Sequence, residues 1–179
     1  IRLDPLSLPD GMKLFIDRMT AISGPVTDPE HAQVMAKSIV GHLDGLPLAI
    51  ELAAAQSQYL SLVAIERKIN GRFRFSLQRE NAAQARHATL EAAIQWSWDL
   101  LDDTQKSAMV VLALFRGNFD VESASNVIVS DGAHSNPSVS IEIERLLDSL
   151  VKQSLLQRSE DERGHATFKM LETIRQYAA

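Results

Sequence analysis

The sequence predicts a mainly α-helical fold, a small helical bundle followed by helices that close in a C-terminal β-hairpin. Two observations predict it. Apolar residues recur at helical spacing behind recognisable capping residues along most of the chain, and after about Gln153 the period shortens around a charged turn. The elements follow in order.

Asp10 is placed to cap a first helix, "GMKLFIDRMTAI", with Leu14, Phe15, Met19 and Ile22 on one side, and "SGPVTDP" breaks it. Asp28, Pro29 and Glu30 supply a cap, an N1 proline and a first-turn carboxylate for the second helix. That helix carries Val34, Met35, Ile39, Val40 and Leu43 on its apolar face, and Gly45 stops it. Pro47 opens "PLAIELAAAQSQYL", and Ser61 caps a fourth helix through Ile69. Residues 1–70 therefore read as a helical unit.

Residues 70–89, "NGRFRFSLQRENAAQARHAT", show no sustained period and hold four arginines against one glutamate. We read 71–88 as a linker, with a short extended piece at Phe73–Leu77. Thr89 then caps "LEAAIQWSWDLL", and Asp102 or Asp103 caps "DTQKSAMVVLALF". A Gly-Asn turn at 117–118 leads to "DVESASNVIV", the polar loop "SDGAHSNPS" and the helix "IEIERLLDSLVKQ". Two short strands in "SLLQRSEDERGHATFKML" precede a last helix. Helices closed by a hairpin are the winged-helix arrangement, assigned here to residues 89–179. Ile1 is not Met, and "MLETIRQYAA" reads as a helix stopped after its second turn, so we expect a piece of a longer protein.

Composition limits the function. Hydrophobic residues make up 45% and charged residues 23%, as in ordinary globular domains, and the net charge is -5. Phosphate binding needs clustered Lys and Arg, so this balance weighs against a general nucleic-acid binder. Without cysteine there is no disulfide framework and no zinc-thiolate site. No apolar run reaches the roughly 20 residues of a membrane span, and a cytoplasmic location is expected. There is no Gly-x-x-x-x-Gly-Lys loop, Gly-x-Gly-x-x-Gly or His-Glu-x-x-His. His31, His42, His87, His134 and His165 lack metal spacing, and Asp102 and Asp103 read as helix caps rather than a catalytic pair. No active site emerges, so the chain is not expected to be an enzyme by itself.

A winged helix raises the question of DNA. Its reader helix would be "IEIERLLDSLVKQ", where Glu142, Glu144 and Asp148 oppose Arg145 and Lys152, and the wing turn "SEDERG" adds three acids and one arginine. From Leu90 to the end there are eight Lys and Arg against fourteen Asp and Glu. A helix among phosphates needs the opposite balance, so the sequence favours protein packing over direct nucleic-acid binding. Arg72, Arg74, Arg79 and Arg86 read as solvated or paired with acidic neighbours, with a phosphate contact as the alternative.

"GLPLAIELAA" resembles the Gly-Leu-Pro-Leu segment of the signal-transduction ATPases with numerous domains, the STAND or NB-ARC-like class. "RHATLEAAIQWSWDLLDDTQKSAMVVLALFRGNFDVESASNVI" is similar to the matching stretch of its bacterial regulators, and "LLDSLVKQSLL" with "FKMLETIRQYA" resembles the end of their winged-helix domain. The resemblance implies an upstream P-loop NTPase domain, a helical lid, a winged helix and downstream helical repeats. This chain would be the lid and winged helix, closing over ADP or ATP with Mg held upstream, and the full-length active state would self-oligomerise. No cofactor is expected on this chain alone.

The resemblance also implies that Pro47 packs on the adenine and ribose, with Gly45, Leu46 and Leu48 shaping the corner. Proline suits this because it fixes φ and lacks an N–H, so it presents an apolar surface without a lost hydrogen bond; helix punctuation is the plainer explanation of the same residues. Plant and animal relatives have Met-His-Asp near the winged-helix end, the histidine meeting the ADP β-phosphate. Here the positions are Met170, Leu171 and Glu172. Leucine cannot donate, which leaves Arg86 or His87 as candidates for a phosphate contact. Trp96 and Trp98 face different sides of one helix, one toward the core and one available for an interface. A DNA-binding winged-helix regulator, or an interaction domain dimerising through apolar helix faces, are the alternatives.

Overall fold

A computed structural model describes residues 5–73, 82–129 and 137–178. It divides into two compact units, Ile1–Asp99 and Leu100–Ala179.

The first unit holds five α-helices among its described residues: α1 (Leu8–Ser23), α2 (Pro29–His42), α3 (Pro47–Ala55), α4 (Leu62–Phe73) and α5 (Ala82–Asp99), with a 3-10 turn at Gln56–Gln58. Helix α3 lies at the centre, packing on α1 and α5. Its sequence "PLAIELAAA" explains the position: Ala49, Ile50, Leu52, Ala53, Ala54 and Ala55 are all buried, and helices that are apolar nearly all round belong in a core. Alanine also keeps the helix slim, so neighbours approach closely. Phe15, Ile39, Leu43, Ile65, Ile69, Ile94 and Trp96 fill the remaining space.

Several caps match the sequence expectation. Asp28 accepts from the His31 N–H at 3.0 Å, and Ser61 from the Ala64 N–H at 3.3 Å. Others do not. Helix α1 starts at Leu8 with Ser7 as its cap, and Asp10 sits inside the first turn. Val34, expected on the apolar face of α2, is 62% exposed, because Ala32, Ala36, Ile39 and Val40 make the buried stripe. Helix α4 runs four residues past Ile69 to Phe73, which removes Phe73 from the expected extended piece; 74–77 lie outside the described residues.

The larger correction concerns α5. It begins at Ala82, inside the expected linker, so Thr89 lies in mid-helix rather than at a cap. Because α5 packs on α3 and α4, the unit boundary falls at Asp99–Leu100 instead of at residues 71–88.

The second unit holds α6 (Asp103–Leu112), α7 (Val121–Ile128), α8 (Pro137–Lys152), strands β1 (Gln157–Glu160) and β2 (Ala166–Lys169), and α9 (Glu172–Ala178). Asp102 caps α6 in a capping box: it accepts from the Gln105 N–H at 2.8 Å, and the Gln105 side chain accepts from the Asp102 N–H at 3.1 Å. The strands pair antiparallel from Gln157↔Lys169 to Glu160↔Ala166. Phe119, in the loop before α7, adds a bridge to Phe168: each N–H donates to the other's carbonyl, at 2.9 and 2.7 Å. Met109, Leu112, Leu147, Leu150, Leu155, Phe168 and Ile174 form the core. The fold is mainly helical with a small C-terminal hairpin, as expected. Among the described residues no helix is long and apolar enough to cross a membrane.

Candidate functional site

The Gly-Leu-Pro-Leu stretch forms a tight corner between α2 and α3. Helix α2 ends at His42, whose Nδ1 lies 2.7 Å from the Ser38 carbonyl. Leu43 is fully buried, and Asp44 and Gly45 then take left-handed conformations in succession, with φ of 53° and 65°. Leu46 is extended (φ -75°, ψ 114°), as a residue before proline should be. Its N–H donates to the Leu43 carbonyl at 3.0 Å, and Pro47 opens α3 with no N–H to satisfy.

Two other segments grip this corner. The Leu6 N–H donates to the Gly45 carbonyl at 2.8 Å. The Leu6 carbonyl oxygen lies 2.4 Å from where a Gly45 Cβ would stand. On the other side Thr89 of α5 donates its hydroxyl to Asp44 Oδ2 at 2.8 Å. Pro47 is exposed, Leu46 and Leu48 are half-buried, and Gly45 is buried under the backbone of Leu6. Gly45 is therefore a backbone device, and Pro47 with its flanking leucines is the surface.

Arg86 and His87 lie within α5, not on a linker; Arg86 is half-buried and His87 exposed. Arg86 precedes Thr89 by three residues, which puts the two on one side of α5. Sequence reading missed Asp44, Thr89 and Leu6 as parts of the corner. An Asp-Gly pair ahead of Leu-Pro is a usable sign of consecutive left-handed residues; nothing in the sequence marks the tie across 45 positions to Thr89.

At the other candidate surface, the first two turns of α8, Pro137–Glu144, contain no Lys or Arg. Ile141, Glu142, Glu144 and Arg145 are exposed, and Ile141 is 51% accessible. Arg158 of β1 points its guanidinium to Asp148 of α8 at 3.0 Å and stands 6.0 Å from the centre of the Phe168 ring. In the wing turn Asp161 accepts the N–H groups of His165 and Arg163, each at 2.8 Å. These bonds, that of His165 first, hold its carboxyl below the ordinary range and keep it anionic. An anionic wing tip repels phosphate.

At the end of the hairpin, Met170 is buried, Leu171 half-buried and Glu172 exposed. Glu172 accepts two bonds from Arg175, at 2.8 and 2.6 Å, and one from Gln176 at 2.9 Å. Trp96 is buried and Trp98 half-buried.

Residues 101–179 match the family model described as a winged helix-turn-helix domain. Over 178 residues, 99% of the chain, the sequence is 35% identical to an uncharacterized protein of Mycobacterium tuberculosis and covers 44% of it. It is 33% identical, over the same share of the chain, to a Mycobacterium tuberculosis protein carrying the provisional name of an HTH-type transcriptional regulator, of which it covers 20%. Counterparts in Mycobacterium bovis match equally. The chain thus spans less than half the length of these relatives, and it contains a winged helix-turn-helix domain.

Proposed function

We propose that this chain is a regulatory segment of a bacterial transcriptional regulator, in which the winged helix packs on protein and the Pro47 corner faces a nucleotide held elsewhere in the full-length protein. The regulator context is supported by the winged helix-turn-helix match and by the relative named for transcriptional regulation. The role of the winged helix is supported by its charge. The start of α8 lacks cations, Arg158 is engaged by Asp148, and the wing carries Glu160, Asp161 and Glu162.

One observation carries the nucleotide part: Pro47 is exposed at the head of α3 on a turn fixed from two sides. The corner had to be at the surface for a base to reach it. The identity of the ligand, ADP or ATP with Mg, and of the domain holding its phosphates rests on the sequence resemblance to STAND-class ATPases. Calorimetry tests the division of labour: the 179-residue chain should not bind ADP at micromolar concentration, and the full-length protein should. Pro47→Ala in the full-length protein should weaken nucleotide retention. Unchanged retention removes the base contact.

A second reading, direct DNA recognition, is favoured by the family match itself. Gel shifts with duplex DNA at increasing salt separate the two. Specific binding whose log K falls steeply with log salt supports the DNA reader; no shift by this chain at low salt supports the packing role.

A further inference from the structure

Asp44 and Thr89 each carry an unfavourable local feature that a single contact explains. Asp44 holds φ at 53°, a left-handed backbone that non-glycine residues avoid, although Asp is among those that tolerate it. Thr89 is a fully buried β-branched residue in the middle of α5, where alanine would favour the helix. Its single hydroxyl hydrogen has an alternative acceptor within the helix, the Ala85 carbonyl at 3.1 Å. The bond to Asp44 Oδ2 at 2.8 Å is therefore not needed to satisfy Thr89. It acts on the turn: it holds the carboxylate of the residue that reverses the chain between α2 and α3, three positions before Pro47.

We infer that Asp44 and Thr89 are positioning residues for the Pro47 corner, tying the turn that carries it to α5. This rests on the reading of the corner as the ligand-facing surface. Leu6 holds the neighbouring residue, Gly45, from the opposite segment, so the two left-handed residues are each held by a different part of the chain. A ligand on Pro47 then meets a wall set by α5, and α5 is the helix from which the chain continues at Leu100 into the winged helix.

Amide hydrogen exchange on this chain tests the tie. The reporters are the N–H of Leu46, bonded to Leu43, and that of Ile50, bonded to Leu46. Thr89→Val removes the donor at constant shape and should speed exchange at both about tenfold or more, the scale of a lost hydrogen bond to a charged group. Thr89→Ser keeps the hydroxyl, and Asp44→Asn keeps an acceptor that tolerates the left-handed turn; both should stay within about threefold of the parent. Asp44→Gly is decisive should Thr89→Val fail to fold, because it relieves the backbone while removing the tie. Faster exchange in Asp44→Gly supports positioning, and unchanged or slower exchange overturns it.

The full-length protein separates this inference from the nucleotide reading. Loss of ADP retention in both Pro47→Ala and Thr89→Val, restored in Thr89→Ser, supports both. Loss in Pro47→Ala with full retention in Thr89→Val overturns the positioning role and leaves the base contact standing. Retention in both variants alongside accelerated exchange in Thr89→Val removes the nucleotide and leaves the tie.

Discussion

Two glycines four residues apart should respond to the same substitution with opposite signs. Gly45 has φ of 65°, and a Cβ there would lie 2.4 Å from the Leu6 carbonyl oxygen, a backbone atom that cannot rotate away. Gly45→Ala therefore takes on a left-handed alanine, about 1–2 kcal/mol. It also forces out Leu6 and loses the 2.8 Å bond between Leu6 and Gly45, about 1 kcal/mol. The total is about 2–3 kcal/mol. Gly41 sits on an exposed position of α2, and a Cβ there would meet nothing within 4 Å. Gly41→Ala should stabilise by about 0.5 kcal/mol, since glycine is entropically unfavourable in a helix and Gly41 lies in the last turn of α2. The chain has two tryptophans, Trp96 and Trp98, both on α5. Urea unfolding followed by their fluorescence thus reports the unit that holds α5. With a slope of about 1.5–2 kcal/mol/M, Gly45→Ala should lower the midpoint by roughly 1–2 M, and Gly41→Ala should raise it. Equal midpoints for Gly45→Ala and the parent would refute the claim that Leu6 is seated on Gly45.

The second unit offers further tests. Phe168 is fully buried where the hairpin meets Phe119, and Phe168→Ala should destabilise this unit by about 3–5 kcal/mol in denaturant unfolding followed by circular dichroism. Asp102→Ala removes the capping box of α6 and should cost about 1 kcal/mol by the same measurement, with Asp103→Ala, outside the box, costing less. Arg175, then Gln176, hold the Glu172 carboxyl at about 2 against an ordinary 4.5. The folded-state value is depressed, so what the pair adds to stability is present above about 4.5 and fades as pH falls toward 2. Carbon-detected NMR should show this midpoint near 2, and Arg175→Gln should return it to the ordinary range; an ordinary midpoint in the parent would refute the bidentate pairing.

Local chemistry made much of this fold legible. Asp28 with Pro29, Ser61 and Asp102 are caps whose partners lie within three residues, so a linear reading finds them. The hairpin is legible for the same reason, its charged turn joining two four-residue strands. Thr89 misleads because a threonine before an apolar run looks like a cap, whereas here its partners are Asp44 and the preceding turn of α5. Val34 misleads because period alone weighs a valine above an alanine, and the stripe that packs is Ala32 and Ala36. Pro47 was legible as a corner because proline and glycine punctuate locally. The seats of Gly45 and Asp44 were not, since both partners arrive from distant parts of the chain.

A hairpin of four residue pairs is marginal on its own, yet this one is bonded at its base to Phe119, with the Phe119 and Phe168 rings 6.1 Å apart. Phe168 cannot leave its place without breaking the two backbone bonds to Phe119, so the second strand of the wing and the stretch before α7 are anchored to each other.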